Sequence, residues 1–170
     1  MQDLIEQFSP QLARENSLAY FGLPREINQM TEVLHWNTIG AGFSVDAPVR
    51  AIFLLKLRLE QPERYYAAHR FLAQTNRLWA ADVSGPDLVR YLREYLYHSV
   101  SSEDSAKIAH FLTTAMQEIA EKFPNSLPPL IQEIAQDDEL KELLGTHLHI
   151  VESLIRNNIA TRTHDMSEEE

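Results

Sequence analysis

The sequence predicts an all-α protein, a single compact bundle of six to eight helices with a short acidic C-terminal tail. Three observations support this prediction. Prolines recur where a helix can begin, because a proline in the first turn sacrifices no backbone hydrogen bond. Apolar residues recur three and four positions apart, as on one face of a helix. The 170 residues are 44% apolar with only five glycines, which suits one core-bearing domain.

Start and stop signals divide the chain into eight predicted helices. Prolines 24, 48, 62, 86 and either 128 or 129 mark starts, whereas glycines 40 and 42, the serines between 99 and 102 and proline 124 mark stops. The predicted helices span residues 2 to 21, 24 to 37, 47 to 59, 62 to 80, 86 to 98, 103 to 123, 129 to 135 and 138 to 159. Ser9-Pro10 could break the first of them.

One segment is ambiguous and one is expected to be flexible. Residues 55 to 59 alternate as a short strand would, but Pro48 before them and Pro62 after them favour a helix over 51 to 59. We expect one helical bundle domain over residues 1 to 160. A flexible acidic tail follows over 161 to 170, where Asp165 and residues 168 to 170 concentrate negative charge.

The net charge of -10 conceals an asymmetry along the chain. Residues 1 to 49 carry two basic and six acidic side chains, residues 50 to 93 eight and four, and residues 94 to 170 five and fifteen. A basic segment rich in aromatic residues therefore lies between two acidic ones. Affinity for nucleic-acid phosphates grows with the number of basic residues that contact them, and the chain as a whole is acidic. We therefore expect another protein or a second copy as the partner, not nucleic acid.

The sequence lacks the signature residues of several functional classes. The chain has no cysteine, which excludes disulfides, thiolate zinc sites and iron-sulfur clusters. It contains no Walker loop, no GxSxG elbow and no dinucleotide fingerprint, and we predict no cofactor and no metal. No apolar run is long enough for a bilayer, and the first residues lack the basic head and apolar run of a secretory signal, so we expect a cytoplasmic protein without membrane contact.

Polar side chains fall on predicted apolar faces. In the helix from 62 to 80, Arg64, His69 and Asn76 lie on or beside the apolar stripe, and His147 lies in the middle of the stripe of the last helix. A buried polar group must find a partner or lose about 1 to 3 kcal/mol. Three interpretations stay open: core histidines bonded within the fold, a pocket for a small anionic ligand formed by these four residues, or a subunit interface.

Two aromatic side chains point away from the predicted core. Tyr97 lies on the polar face of its helix near Arg90 and Arg93, and Trp36 points away from its apolar neighbours. Tyrosine, tryptophan and arginine are enriched where interfaces concentrate binding energy. These four residues therefore form a hypothetical interface, with a second core contact as the alternative.

Two short segments resemble a catalytic motif. Arg64-x4-His69 and Arg93-x4-His98 are similar to the motif of HEPN-type helical RNases, in which an arginine and a histidine four to six residues apart on a helix cleave phosphodiesters. The resemblance covers only these two segments and implies RNase activity.

The sequence as a whole favours a non-catalytic, cytoplasmic binding or regulatory protein that acts through protein–protein contacts as a homo-oligomer. A small-ligand-binding sensory bundle with a pocket around Arg64, His69, Asn76 and His147 is the second hypothesis. A HEPN-like RNase is the third.

Overall fold

The computed structural model describes residues 2–31, 34–37, 42–103 and 105–153. The predicted tail over 161 to 170 and residues 154 to 159 of the last predicted helix lie outside the described residues.

The all-α prediction is confirmed. Within the described residues the chain forms eight α-helices: α1 (Gln2–Phe8), α2 (Leu23–Thr31), α3 (Ala47–Glu60), α4 (Pro62–Ala81), α5 (Gly85–Ser102), α6 (Ser105–Lys122), α7 (Leu127–Gln136) and α8 (Asp138–Leu144). Short 3₁₀ helices lie at Pro10–Leu12, Ser17–Phe21 and Gly145–His147, and strands β1 (Leu34–Asn37) and β2 (Gly42–Val45) pair as an antiparallel hairpin. None of the described helices combines the length and apolarity needed to cross a lipid bilayer.

Prolines begin helices as predicted. Pro48, Pro86 and Pro128 occupy the first turns of α3, α5 and α7, and Pro62 is the first residue of α4. Residues 51 to 59 are helical, so the short-strand alternative for this segment is wrong. Ser9-Pro10 does break the first predicted helix, because α1 ends at Phe8 and Pro10 begins a 3₁₀ helix.

Two predicted helices are shorter than expected. The helix predicted over 24 to 37 ends at Thr31, because Leu34 to Asn37 pair with Val45 to Gly42 in the hairpin. Cross-strand pairing outweighs the helical pattern there. The helix predicted over 138 to 159 is interrupted at Gly145, whose φ of 49° lies in the left-handed region that glycine adopts without strain. Residues 148 to 153 are helical again.

One predicted helix is longer than expected. The serines from Ser99 to Ser102 do not stop α5, which continues to Ser102. The Ser101 hydroxyl donates to the carbonyl of Tyr97 at 2.8 Å, so it is satisfied inside the helix and does not compete with it.

The chain divides into two compact units. Residues 1–68 form what we call the amino-terminal unit and residues 69–170 the carboxy-terminal unit, with the division inside α4. The single domain predicted for residues 1 to 160 stays a prediction.

The carboxy-terminal unit has a continuous apolar core built by α5, α6, α7 and α8. The three-and-four spacing along α6 predicted its buried face, and Leu112, Ala115 and Ile119 are indeed inaccessible to solvent. Its best buried side chains are Leu92, Leu96, Val100, Leu112, Met116, Leu130, Ile134, Leu140, Leu144 and Val151.

The amino-terminal unit buries far less. Among its described residues the buried large hydrophobic side chains are Tyr20 and Tyr65, which are 6% and 7% exposed. The Tyr20 hydroxyl accepts a hydrogen bond from the backbone N–H of Arg14 at 2.9 Å, and the Arg14 guanidinium pairs with Glu26 at 2.7 Å. The guanidinium of Arg58 lies 5.9 Å from the centre of the Tyr65 ring. Polar and cation–π contacts thus hold much of this unit together.

Candidate functional site

The most unusual polar feature of the carboxy-terminal unit is a pair of imidazoles. The Nδ1 atoms of His69 on α4 and His98 on α5 lie 2.9 Å apart, and the ring centres are 5.0 Å apart. His69 is 4% exposed and the His98 side chain 14% exposed. At this distance one ring donates a proton and the other accepts it, so the pair is satisfied when both rings are neutral.

The two histidines meet because α4 and α5 run antiparallel where they face each other. His69 lies opposite His98, and ten residues along α4 the ring of Trp79 lies 5.4 Å from that of Tyr91. The buried face of α4 carries small or polar side chains, namely His69, Ala73, Asn76 and Ala80. The sequence pattern placed Trp79 with Tyr65, Ala68 and Leu72 on the apolar stripe of this helix, but Trp79 is 48% exposed, so the buried face lies to one side of that stripe.

Burial sets the ionisation of His98. It lowers the pKa of His98 from 6.5 to about 4, because a charged imidazolium loses its hydration there. The nearest carboxylate oxygen, on Glu94, is 3.8 Å from His98 Nε2, beyond hydrogen-bond length, and does not reverse this effect. A general acid or base works best with a pKa near the operating pH. His98 is therefore suited to packing and hydrogen bonding more than to proton transfer at neutral pH.

Tyr97 extends the cluster towards α8. Its ring centre lies 6.0 Å from that of His69 and 5.1 Å from that of His98, and its hydroxyl donates to Glu139 at 2.8 Å. Tyr97 is half-buried and packs against the core. Tyr97 thus has contacts within the fold, and its part in an interface stays a prediction.

Three carboxylates surround Arg93, one on its own helix α5, one on α7 and one at the junction of α7 and α8. It contacts Glu94 at 2.6 Å, Asp137 at 3.8 Å and Glu133 at 4.0 Å. Burial opposes its charged form, but these carboxylates outweigh burial and hold the pKa of Arg93 above its ordinary value. Three carboxylates around one guanidinium leave a net negative environment, which disfavours a phosphodiester there. The surroundings of Arg93 and His98 thus favour a structural role for this Arg-x4-His segment.

Arg64 also serves the fold. Its guanidinium donates to the carbonyl of Phe8 at 2.6 Å, to the hydroxyl of Ser9 at 2.5 Å and to Gln61 at 3.0 Å. The last carbonyls of a helix have no partner within it, so Arg64 satisfies the end of α1.

The other predicted pocket residues have local surroundings of their own. Asn76 donates to the carbonyl of Leu72 in its own helix at 2.8 Å. His147 lies half-buried in the 3₁₀ helix after Gly145 and not within an α-helical stripe. The ring that meets His69 is that of His98, which the sequence did not single out as its partner. Tyr91, Tyr95 and His98 are spaced by four and three residues, which places them on one face of α5. This spacing was the signal that could have placed His98 on the face towards α4.

Two predicted interface residues lie at the surface. Trp36 on β1 is 57% exposed and lies opposite Phe43 in the hairpin register. Arg90 contacts Asp87 at 3.2 Å and lies 4.9 Å from the centre of the Tyr91 ring.

The carboxy-terminal unit also has a shallow groove of about 540 Å³ between α4 and α6. Glu118 at its edge accepts hydrogen bonds from Lys122 at 2.7 Å and Arg77 at 2.5 Å. These bonds, the one from Lys122 first, hold the pKa of the Glu118 carboxyl below its ordinary value. None of the residues predicted for a ligand pocket lines this groove. Its walls are Gln74, Arg77, Leu78, Ala81, Glu118, Lys122 and Phe123.

Exposed apolar side chains concentrate in the amino-terminal unit. Among the described residues eleven large hydrophobic side chains are exposed, and only Leu78 and Trp79 belong to the carboxy-terminal unit. The others are Leu12, Leu18, Phe21, Ile27, Trp36, Ile52, Phe53, Leu55 and Leu59. Four of these lie on α3, which has no buried residue.

No protein-family model matches the chain, and no curated protein or solved structure shows significant similarity to it. The functional argument therefore depends on the chain's own geometry.

Replacing Arg64 by methionine tests its role at the end of α1. We expect faster hydrogen exchange of the backbone amides in residues 2 to 12, because the variant keeps the apolar stem but leaves the Phe8 carbonyl without this donor, a loss of about 1 to 2 kcal/mol. Arg70, exposed on the same helix, provides the matched control Arg70→Met. Equal exchange in both variants would remove this role.

Proposed function

We propose that the protein is a non-catalytic binding protein that acts through protein–protein contacts, as a homo-oligomer. The observation that carries the proposal is the apolar surface of the amino-terminal unit, above all the 14-residue helix α3 with no buried residue. Exposed apolar surface beyond a few hundred Å² marks interaction sites in soluble proteins. The cytoplasmic location and regulatory role expected from the sequence belong to this proposal.

The polar features of the carboxy-terminal unit support the same conclusion. The His69–His98 pair, Tyr97 and Arg93 find their partners within the unit, and these contacts link α4, α5, α7 and α8. An amino-terminal unit whose large apolar side chains stay mostly exposed is expected when a partner covers them. We therefore do not extend the proposal to RNase activity or to the ligand pocket.

Sedimentation equilibrium tests the oligomer directly. We expect the weight-average mass of the purified protein to exceed the 19.6 kDa of one chain and to rise with concentration over about a hundredfold range. Pull-down with the tagged full chain is the companion measurement. A mass of one chain throughout, together with no captured protein, contradicts the proposal.

A further inference from the structure

Helix α4 is held to the carboxy-terminal unit with little apolar contact. Among its described residues only Ala80 belongs to the buried apolar core that α5, α6, α7 and α8 build. The rest of its buried face there is small or polar, namely His69, Ala73 and Asn76. Side-chain contacts join it to neighbouring helices through His69 and His98, through Trp79 and Tyr91, and through Arg77 and Glu118. The two histidines are therefore among the main contacts that hold α4 in place.

The contact between His69 and His98 limits how many protons the pair holds. With the Nδ1 atoms 2.9 Å apart, one ring donates the proton between them and the other accepts it. One added proton occupies the outer nitrogen of the donor ring and leaves this bond intact. A further proton has to occupy the inner nitrogen of the acceptor ring, which sets two N–H groups and two positive charges against each other. Two separated imidazoles take up both protons without this conflict.

Burial already opposes the first added proton. Glu94 Oε2 lies 3.8 Å from His98 Nε2 and attracts a proton to that outer nitrogen, but Arg93 contacts the same carboxylate group at 2.6 Å. Loss of hydration outweighs this attraction and lowers the pKa of His98 to about 4. The closed pair is therefore stable in its neutral form.

The other charged and titratable neighbours of the pair lie on α4, α5 and α8. Tyr97 of α5 contacts both rings, and its hydroxyl donates to Glu139 of α8 at 2.8 Å. Arg70, the next residue of α4 after His69, is exposed, and its positive charge opposes an added proton. The carboxylates of Glu94 and Glu139 are thus each engaged by another side chain.

We propose that the His69–His98 pair is an acid-sensitive latch: when both imidazoles are protonated, residues 69 to 81 of α4 separate from α5 while the core of α5 to α8 stays folded. This inference concerns the carboxy-terminal unit alone and does not depend on the proposed oligomer.

The core without α4 is extensive. Leu92, Leu112, Leu130 and Leu140 come from α5, α6, α7 and α8 in turn, and each is at most 2% exposed. Separation of α4 exposes far less apolar surface than unfolding of the unit, and local openings of this kind cost less free energy than global unfolding. A helix this short is marginal in water on its own, so the separated residues also lose helical hydrogen bonds.

Separation uncovers the face of α5 that α4 covers. Tyr91 and His98 on this face contact Trp79 and His69, and Tyr95 lies between them at the four-and-three spacing of one helix face. All three α5 side chains are half-buried in the closed form. Acid thus converts a covered aromatic face into an exposed one.

Thiol labelling tests the latch, because the natural chain contains no cysteine. Ala73→Cys places a thiol on the buried face of α4, where Ala73 is 6% exposed. Leu78→Cys, at a position 70% exposed on the same helix, measures the reactivity of the reagent at each pH. With dithiodipyridine, a disulfide reagent that reacts with thiols in acid, we expect the Ala73→Cys rate relative to the Leu78→Cys rate to rise at least about twentyfold between about pH 7 and pH 5. This is the gain from one imidazole whose pKa returns to 6.5 on opening.

The double variant His69→Gln/His98→Gln removes both proton-binding rings and keeps hydrogen-bonding groups at the contact. In this variant the relative labelling rate should change less than about threefold over the same pH range. His110→Gln, at an exposed position of α6, is the matched control and should keep the rise of the natural chain.

Hydrogen exchange of the natural chain distinguishes local opening from global unfolding and needs no variant. At about pH 5 the backbone amides of residues 69 to 81 should lose protection while those of α6 keep it. Equal loss in both segments would mean that the unit unfolds as a whole. A constant labelling ratio would mean that the pair stays closed in acid, and a rise that persists in the double variant would assign the effect to another group. Each of these three results overturns the latch.

Discussion

Replacing Leu112 by alanine is expected to lower the free energy of unfolding of the carboxy-terminal unit by roughly 2 to 5 kcal/mol. Leu112 on α6 is fully buried in the apolar core, so truncation removes its transfer free energy and leaves a cavity that close-packed neighbours fill only in part. Thermal or urea denaturation followed by circular dichroism measures the loss.

Leu78→Ala is the matched control for this substitution. Leu78 is 70% exposed on α4, so its truncation should change the free energy of unfolding by less than about 0.5 kcal/mol. Equal losses in the two variants would mean that α6 does not pack as described.

Lowering the pH is expected to destabilise the carboxy-terminal unit through His98. In the unfolded chain the pKa of His98 has its ordinary value of 6.5, and in the folded chain burial lowers it to about 4. Above the unfolded pKa the ring is neutral in both states and the stability is fully present. As the pH falls towards the folded pKa, the unfolded chain takes up the proton first, and stability of roughly 3 kcal/mol is lost.

The variant His98→Gln isolates this effect. Glutamine stays neutral and keeps a hydrogen-bonding group opposite His69, so the free energy of unfolding from urea titrations should depend much less on pH between about 4 and 7. His110→Gln, at an exposed position of α6, should retain the dependence of the natural chain. The same steep dependence in His98→Gln would refute the assignment.

The carboxyls of Glu118 and Asp138 titrate mainly below the pH range in which His98 acts. Bonds from Lys122 and Lys141 are the largest causes that hold the pKa of Glu118 and of Asp138 below their ordinary values of 4.5 and 3.8. Their contribution is complete above those ordinary values and is lost as the pH falls through the folded values. The loss at higher pH therefore reports on His98.

The predicted helices differ in how well local signals described them. Helices α3, α4, α5 and α7 each have a proline in the first turn, because that turn tolerates a residue without an N–H, and this local rule needs no tertiary contact. The segment 34 to 37 was misassigned because its partner strand at 42 to 45 supplies the hydrogen bonds that decide its conformation.

The candidate sites show the same division. His69 was expected on an apolar face and is buried, but nothing in the order of residues specified that His98, twenty-nine positions away, would be its partner. Arg64 and Tyr97 were candidates for a ligand site and an interface, and their contacts with Phe8 and Glu139 depend on how distant segments meet.

By itself the sequence determined the all-α class, most helix starts, the buried face of α6 and the uneven distribution of charge, since each depends on neighbours within a few turns. Only the tertiary structure decided which polar groups pair and which apolar faces are covered. It shows that α3 leaves Ile52, Leu55 and Leu59 exposed, because exposure depends on which elements pack together and not on the hydrophobicity of the segment alone.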